Sequence, residues 1–90
     1  MSRQRGAYMA RIIDGNAMNM VGDRVRELRL ARKMSQQTLS NKLEMLAIYI
    51  CRGSISRIED KQRTVTDIEL YGLAKVLNVS VEELYQKEKE

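Results

Sequence analysis

No proline interrupts this chain, although it runs to 90 residues. Leu, Arg, Lys, Glu and Gln fill it instead, residues that lose little rotamer freedom on entering a helix. Phe and Trp are absent and Tyr occurs four times, so a strand-rich sandwich lacks its usual residues and the predicted fold is all-α. The length allows one domain. A domain of this size buries roughly 60–65% of the surface its unfolded chain exposes, so nearly every apolar side chain must join a single core. With 43% hydrophobic and 31% charged residues, the chain reads as globular rather than disordered.

The same composition removes several functions. There is no His, and Cys51 is the sole cysteine, which excludes structural zinc, a disulfide framework and His-based catalysis. No glycine-rich phosphate loop is present either, so no enzyme, no metal site and no cofactor are expected. A lone cysteine fits a reducing cytoplasm, where Cys51 is expected as a buried structural thiol. The longest apolar run, residues 45–51, has seven residues, against about 20 needed to span a bilayer. Arg11 and Asp14 interrupt the only stretch that resembles a signal-peptide core. The expectation is a small, basic, cytoplasmic helical domain with no membrane association.

The basic character is local. The formal charge is +4, and residues 21–63 alone carry ten basic and five acidic side chains. Residues 64–90 carry three basic and six acidic ones. A polyanion would therefore be drawn to one side of the domain. Ordinary solvated helix faces account for the same numbers, so charge does not choose between the two.

Residues 1–19 show no sustained period and read as an arm, leaving 20–90 as the folded domain. A first helix is predicted over about 20–33, with Val21, Val25, Leu28 and Arg32 along one stripe. Ser35 is a good N-cap, and Met34 and Leu39 form a hydrophobic staple for a second helix carrying Leu39, Leu43 and Leu46. A short third helix covers about 52–60, with Ile50 and Ile55 as its staple. Thr66–Glu69 and Ser80–Glu83 are capping boxes that open a fourth and a fifth helix, the last running to about residue 87. Asn78 suits a left-handed stop between them. The result is a compact five-helix domain.

The third helix carries the functional signal. With Arg52 at 0° and about 100° per residue, Gly53, Ser56, Arg57 and Asp60 fall between 0° and about 140°, while Ile58 and Ile55 fall near 240° and 300°. An Arg-Gly-Ser-Arg face on so short a helix fits a DNA major groove, because Arg forks onto guanine and Gly allows close backbone approach. Any amphipathic surface helix has a polar face too, so the helix alone is not decisive.

Its surroundings are. From Val21 onward the chain resembles the lambda-repressor-like (Cro/Xre) helix-turn-helix family of bacterial and phage regulators. Four pieces in order carry the likeness: Val25-Arg26-Glu27-Leu28-Arg29, Met34-Ser35-Gln36-Gln37-Thr38-Leu39, Ser54-Ile55-Ser56-Arg57-Ile58-Glu59 with Lys61-Gln62-Arg63, and Leu73-Ala74-Lys75-Val76-Leu77-Asn78-Val79-Ser80. The resemblance implies that Gln36 contacts a phosphate or bridges helices, and that Arg52, Gly53, Ser56 and Arg57 face the bases. It further implies backbone contacts from Ser54, Lys61, Gln62 and Arg63, and an ion pair between Arg29 and Glu59.

One stretch departs from the family. Many members have a Gly soon after the second helix and a tight turn into the third, whereas Leu43–Ile50 is about five residues longer and has no Gly. The second helix is therefore expected to gain a turn. Tyr49 has three open roles: in the core, on a phosphate, or against a partner. The functional expectation is a sequence-specific transcriptional regulator that binds double-stranded DNA as a homodimer, pairing through Val81, Leu84 and Tyr85, the arm, or both. The alternative is an antitoxin-like module of the same fold that sequesters a partner protein.

Overall fold

The computed structural model describes residues 15–85. Five helices follow in order: α1 Gly22–Ala31, α2 Gln36–Glu44, α3 Arg52–Glu59, α4 Asp67–Leu77 and α5 Val81–Leu84. There is no strand among the described residues. Most of the expected arm and the end of the expected fifth helix lie outside them.

The helix starts follow their local chemistry. Ser35 Oγ accepts the Thr38 N–H at 2.9 Å and opens α2. Thr66 with Glu69, and Ser80 with Glu83, form reciprocal capping boxes at α4 and α5. Ile50 and Ile55 are both buried, closing the staple that sets the entry angle of α3.

The helix ends obey a rule that the residue types conceal. α1 to α4 are each followed by a left-handed residue: Lys33 (φ 57°), Ala47 (62°), Lys61 (60°) and Asn78 (60°). At each, the next N–H reaches a carbonyl five positions back, as in Met34 to Arg29, Ile48 to Leu43, Gln62 to Arg57 and Val79 to Ala74. This closure satisfies carbonyls that a helix end leaves orphaned, and it usually recruits Gly because a Cβ crowds the following carbonyl. Only Asn78 announced itself in advance. Ala47→Gly is therefore expected to stabilise the protein by about 0.5–1 kcal/mol, the relief of left-handed strain outweighing the entropy a Gly adds to the unfolded chain. A rise in the urea midpoint at unchanged slope would report it.

Two sequence expectations fail at the connection between α2 and α3. α2 does not gain a turn; it stops at Glu44, and Leu46, expected in the core stripe, is 47% exposed. The chain turns at Ala47 so that Ile48 drops over α4, where Gly72 leaves room for it. A Cβ at Gly72 would collide with Ile48 Cδ1 and lie 3.1 Å from Leu43 Cδ2. The extra residues thus form an irregular connection anchored by two isoleucines, Ile48 over α4 and the buried Ile50 before α3. α1 is also shorter than expected, and Arg29 is buried in place of Arg32, which lies at the C-cap beyond the helix.

The core draws on every helix: Val25, Leu39, Leu43, Ile55, Ile58, Leu73, Leu77 and Leu84 are fully buried. α3 packs on α1 and α2, and α4 packs on α1, α2 and α5. Leu84 therefore belongs to the domain's own core and is removed from the expected dimer contact. Among the described residues no helix is long and apolar enough to cross a membrane.

Candidate nucleic-acid interface

α3 is held from three sides. Ile55 and Ile58 sink into the core with no exposure, Ser40 Oγ donates to the Ile50 carbonyl at 2.7 Å just before the helix, and Glu59 turns inward. The Glu59 carboxylate accepts Arg29 Nε at 2.6 Å and Arg29 Nη2 at 3.0 Å, a bidentate pair. Gln36 Nε2 adds a third bond at 3.0 Å, and Arg29 Nη1 donates to the Met34 carbonyl at 2.8 Å. One carboxylate thereby ties α3 to α1 and to the first residue of α2. Gln36 takes the bridging geometry, and it meets α3 at the Glu59 end, far along the helix from Arg52.

The opposite face of α3 is open. Arg52, Gly53 and Arg57 are exposed, with Ser54 and Ser56 half-buried. A Cβ built on Gly53 meets nothing within 4 Å, so a partner can approach the backbone there. Along one edge, Arg57 Nη2 donates to Ser54 Oγ at 3.3 Å, and the Cys51 thiol lies 3.5 Å from the same oxygen. Neither Arg52 nor Arg57 has a carboxylate partner among the described residues.

Cys51 corrects another expectation. It is exposed, not a buried structural thiol, because it sits at the N-cap of α3 where the chain leaves the core. The Ser54 hydroxyl, then the Ser54 and Gly53 N–H groups and the Arg57 charge, hold its pKa below the usual thiol value. Tyr49 is 74% exposed, which removes the core from its three open roles.

The loop after α3 carries Lys61, Gln62 and Arg63. Lys61 Nζ pairs with Asp23 Oδ2 at 3.0 Å across an exposed surface. Gln62 is exposed, its backbone N–H bound to the Arg57 carbonyl at 2.8 Å. Arg63 is engaged more tightly: Nη1 and Nη2 each donate to one Glu69 oxygen at 2.9 Å, and Nη1 also reaches the Thr64 carbonyl. The sequence marked Glu69 as a capping-box residue but gave no sign of this pairing, which depends on how the loop folds back onto α4.

The Arg63 guanidinium, ahead of burial and the cap, draws the Glu69 pKa below the usual carboxylate range, and burial opposes it. A depressed carboxylate contributes stability above its unfolded-state pKa and loses it as pH falls through the folded value. Arg63→Ala is therefore expected to cost about 1 kcal/mol at neutral pH, as for a bidentate pair near the surface. In urea titrations the gap to the parent should close at acid pH. A gap independent of pH would mean that the pair contributes nothing.

Comparison with known proteins places this arrangement in a class. The Helix-turn-helix family (Cro/C1 type) matches residues 25–84. The chain belongs to that family, a class of DNA-binding transcriptional regulators. Two solved structures share the fold. One is the restriction-modification controller protein C.AhdI from Aeromonas hydrophila, 33% identical over 71% of this chain and 86% of its own, with a TM-score of 0.63. The other is SinR, the master regulator for biofilm formation, solved in complex with DNA; it is 26% identical over 74% of this chain and 100% of its own, with a TM-score of 0.64. No curated protein matches the chain.

Proposed function

We propose that this protein is a sequence-specific regulator that lays α3 in the major groove and binds as a homodimer. The observation that carries the reading is the division of α3. Ile55, Ile58 and Glu59 lock one side into the domain, while Arg52, Gly53 and Arg57 stand open on the other. An eight-residue helix is about 12 Å long, close to the width of the groove. Arg57 and Arg52 supply forked donors for guanine, and Ser56 pairs with several base edges. Ser54, Lys61 and Gln62 flank the face, where contacts to the sugar-phosphate backbone fix register. Lys61 lies beside the face with its ammonium on Asp23 at 3.0 Å. Arg63 and Gln36 stand behind this face, each holding a carboxylate.

Homodimerisation follows from reach. One such helix reads only a few base pairs, and two on one face of the duplex lie about 34 Å apart. Val81 and Tyr85, 36% and 45% exposed, are the candidates for the contact. The boundary read from the sequence, an arm over 1–19 and a domain over 20–90, moves back to include Met18 and Asn19, since both are bonded to the stretch that ends α3; the location is the cytoplasm.

A protein-binding role has its own observation. Met45, Leu46 and Tyr49 stand 84%, 47% and 74% exposed along the connection before α3, neighbouring apolar side chains of the kind that partner proteins cover. The two roles are separable by experiment. Selection of bound sites from random duplexes should return a preferred sequence with two half-sites. Titration of that site with salt should give a log-log slope of about −0.9 per phosphate neutralised. A slope near zero, or no enriched sequence, would leave the basic segment merely solvated and favour the protein partner.

A further inference from the structure

The C-terminal end of α3 is fastened by a residue that lies before the first helix. Asn19 is 8% exposed, and its amide uses its full hydrogen-bonding capacity. Nδ2 donates to the Ile58 carbonyl at 3.0 Å and to the Arg63 carbonyl at 2.9 Å. Oδ1 accepts from the Val21 N–H at 3.1 Å and the Gly22 N–H at 2.8 Å. The neighbouring Met18 N–H donates to the Lys61 carbonyl at 2.9 Å. Two consecutive residues thus hold three carbonyls of the stretch that ends α3 and carries Lys61 and Gln62.

Gly22 makes the approach possible. A Cβ there would collide with the Ile58 carbonyl oxygen and lie 2.9 Å from Lys61 Cγ. The first turn of α1 therefore backs directly onto the last turn of α3, and the Asn19 amide fills the seam. Its oxygen serves α1 while its nitrogen serves α3. These are separate jobs, and only the second bears on the interface.

We propose that Asn19 is a positioning residue for DNA reading: it sets the seat of α3, so that Arg57 and the loop at 61–62 address the duplex together. This rests on the reading of α3 as the groove helix. The Arg29–Glu59 pair does not supply this restraint, because its side-chain bonds run to Met34 and Gln36 and not to the loop beyond the helix. In the sequence, Asn19 fell in a stretch without periodicity, and its seating role carried no signal, since the partners of its amide nitrogen are backbone carbonyls about forty positions away.

The test separates seating from capping. Asn19→Ser keeps an oxygen that can cap α1 but is too short to reach Ile58 and Arg63. Asn19→Asp is isosteric, keeps the capping oxygen, and turns a second oxygen toward those carbonyls in place of the N–H donors. Gly22→Ala disturbs the same seam from the other side. Each is made in the full chain, and each is measured by amide hydrogen exchange of the free protein. Each is also measured by its affinity for the selected duplex and for a random one.

Expected are amide exchange about tenfold faster in residues 55–59 with α2 and α4 little changed, and a selected-to-random ratio that falls about tenfold, on top of a smaller loss common to both duplexes from the unseated loop. Uniform acceleration in every helix overturns the proposal, as does an unchanged ratio in a variant whose α3 has loosened. If the parent itself fails to discriminate between duplexes, the groove reading is overturned, and with it the role of Asn19 in DNA reading. The exchange data then still report whether the seam seats α3.

Discussion

Glu59→Ala is expected to lower stability by about 3–5 kcal/mol, a large part of what a domain of this size possesses. The Glu59 side chain is 1% exposed and that of Arg29 8%, so the arginine left behind would be stranded with its charge inside the fold. Gln36 would lose its acceptor as well. The cost belongs to the orphaned partner more than to the pair, and a second variant separates the two. Replacing both residues by apolar ones of similar volume, Arg29→Met with Glu59→Leu, should cost much less than the sum of the single losses. Urea denaturation of the three proteins checks this. If Glu59→Ala unfolds at the parent's midpoint, the carboxylate does not hold α3 as described.

Arg57→Ala should instead leave the fold alone and act on sequence discrimination. Arg57 is exposed in the last turn of α3, with one weak bond to Ser54 and no carboxylate partner among the described residues. A base-reading Arg contributes about 1–3 kcal/mol on the preferred site and little on random DNA. Its loss should therefore flatten preference at one or two base pairs while the thermal midpoint stays put. Arg52→Ala should do less, since Arg52 stands at the helix start beside the long connection. Lys61→Ala is the control for backbone contact: it should weaken both duplexes alike and reduce the salt slope by about one. Equal weakening of both duplexes by Arg57→Ala would take α3 out of the groove and give ground to a protein partner.

These two arginines differ from Arg63, which the resemblance grouped with the backbone contacts. Its guanidinium is spent on Glu69, so its loss should be read first in stability and only then in affinity. Nothing in the order Lys-Gln-Arg distinguishes the three positions. The loop's path onto α4 does.

How much was legible follows from the range over which each interaction acts. The starts of α2, α4 and α5 were written in Ser35, Thr66 and Ser80, because a cap is satisfied within three residues of itself. The inward turn of Ile55 and Ile58 followed from helical period alone, while that of Glu59 came with the family resemblance. Helix ends were less legible, since Lys33, Ala47 and Lys61 adopt a left-handed backbone that their residue types do not favour; packing imposes it. The expected extra turn of α2 failed for a related reason. Local apolar residues argued for more helix, but Ile48 had a better site on Gly72, 24 positions away.

By itself, then, the sequence determined that the chain is all-α, where three of its helices start, and which face of α3 is polar. Those are matters of local backbone chemistry and helical period. The tertiary structure decided which cations stay open: Arg52 and Arg57 do, while Arg29 and Arg63 are each committed to a carboxylate in another part of the fold. It also decided that Asn19 belongs to the seam behind α3 and Cys51 to the surface, because burial is set by elements that meet only when the chain has folded.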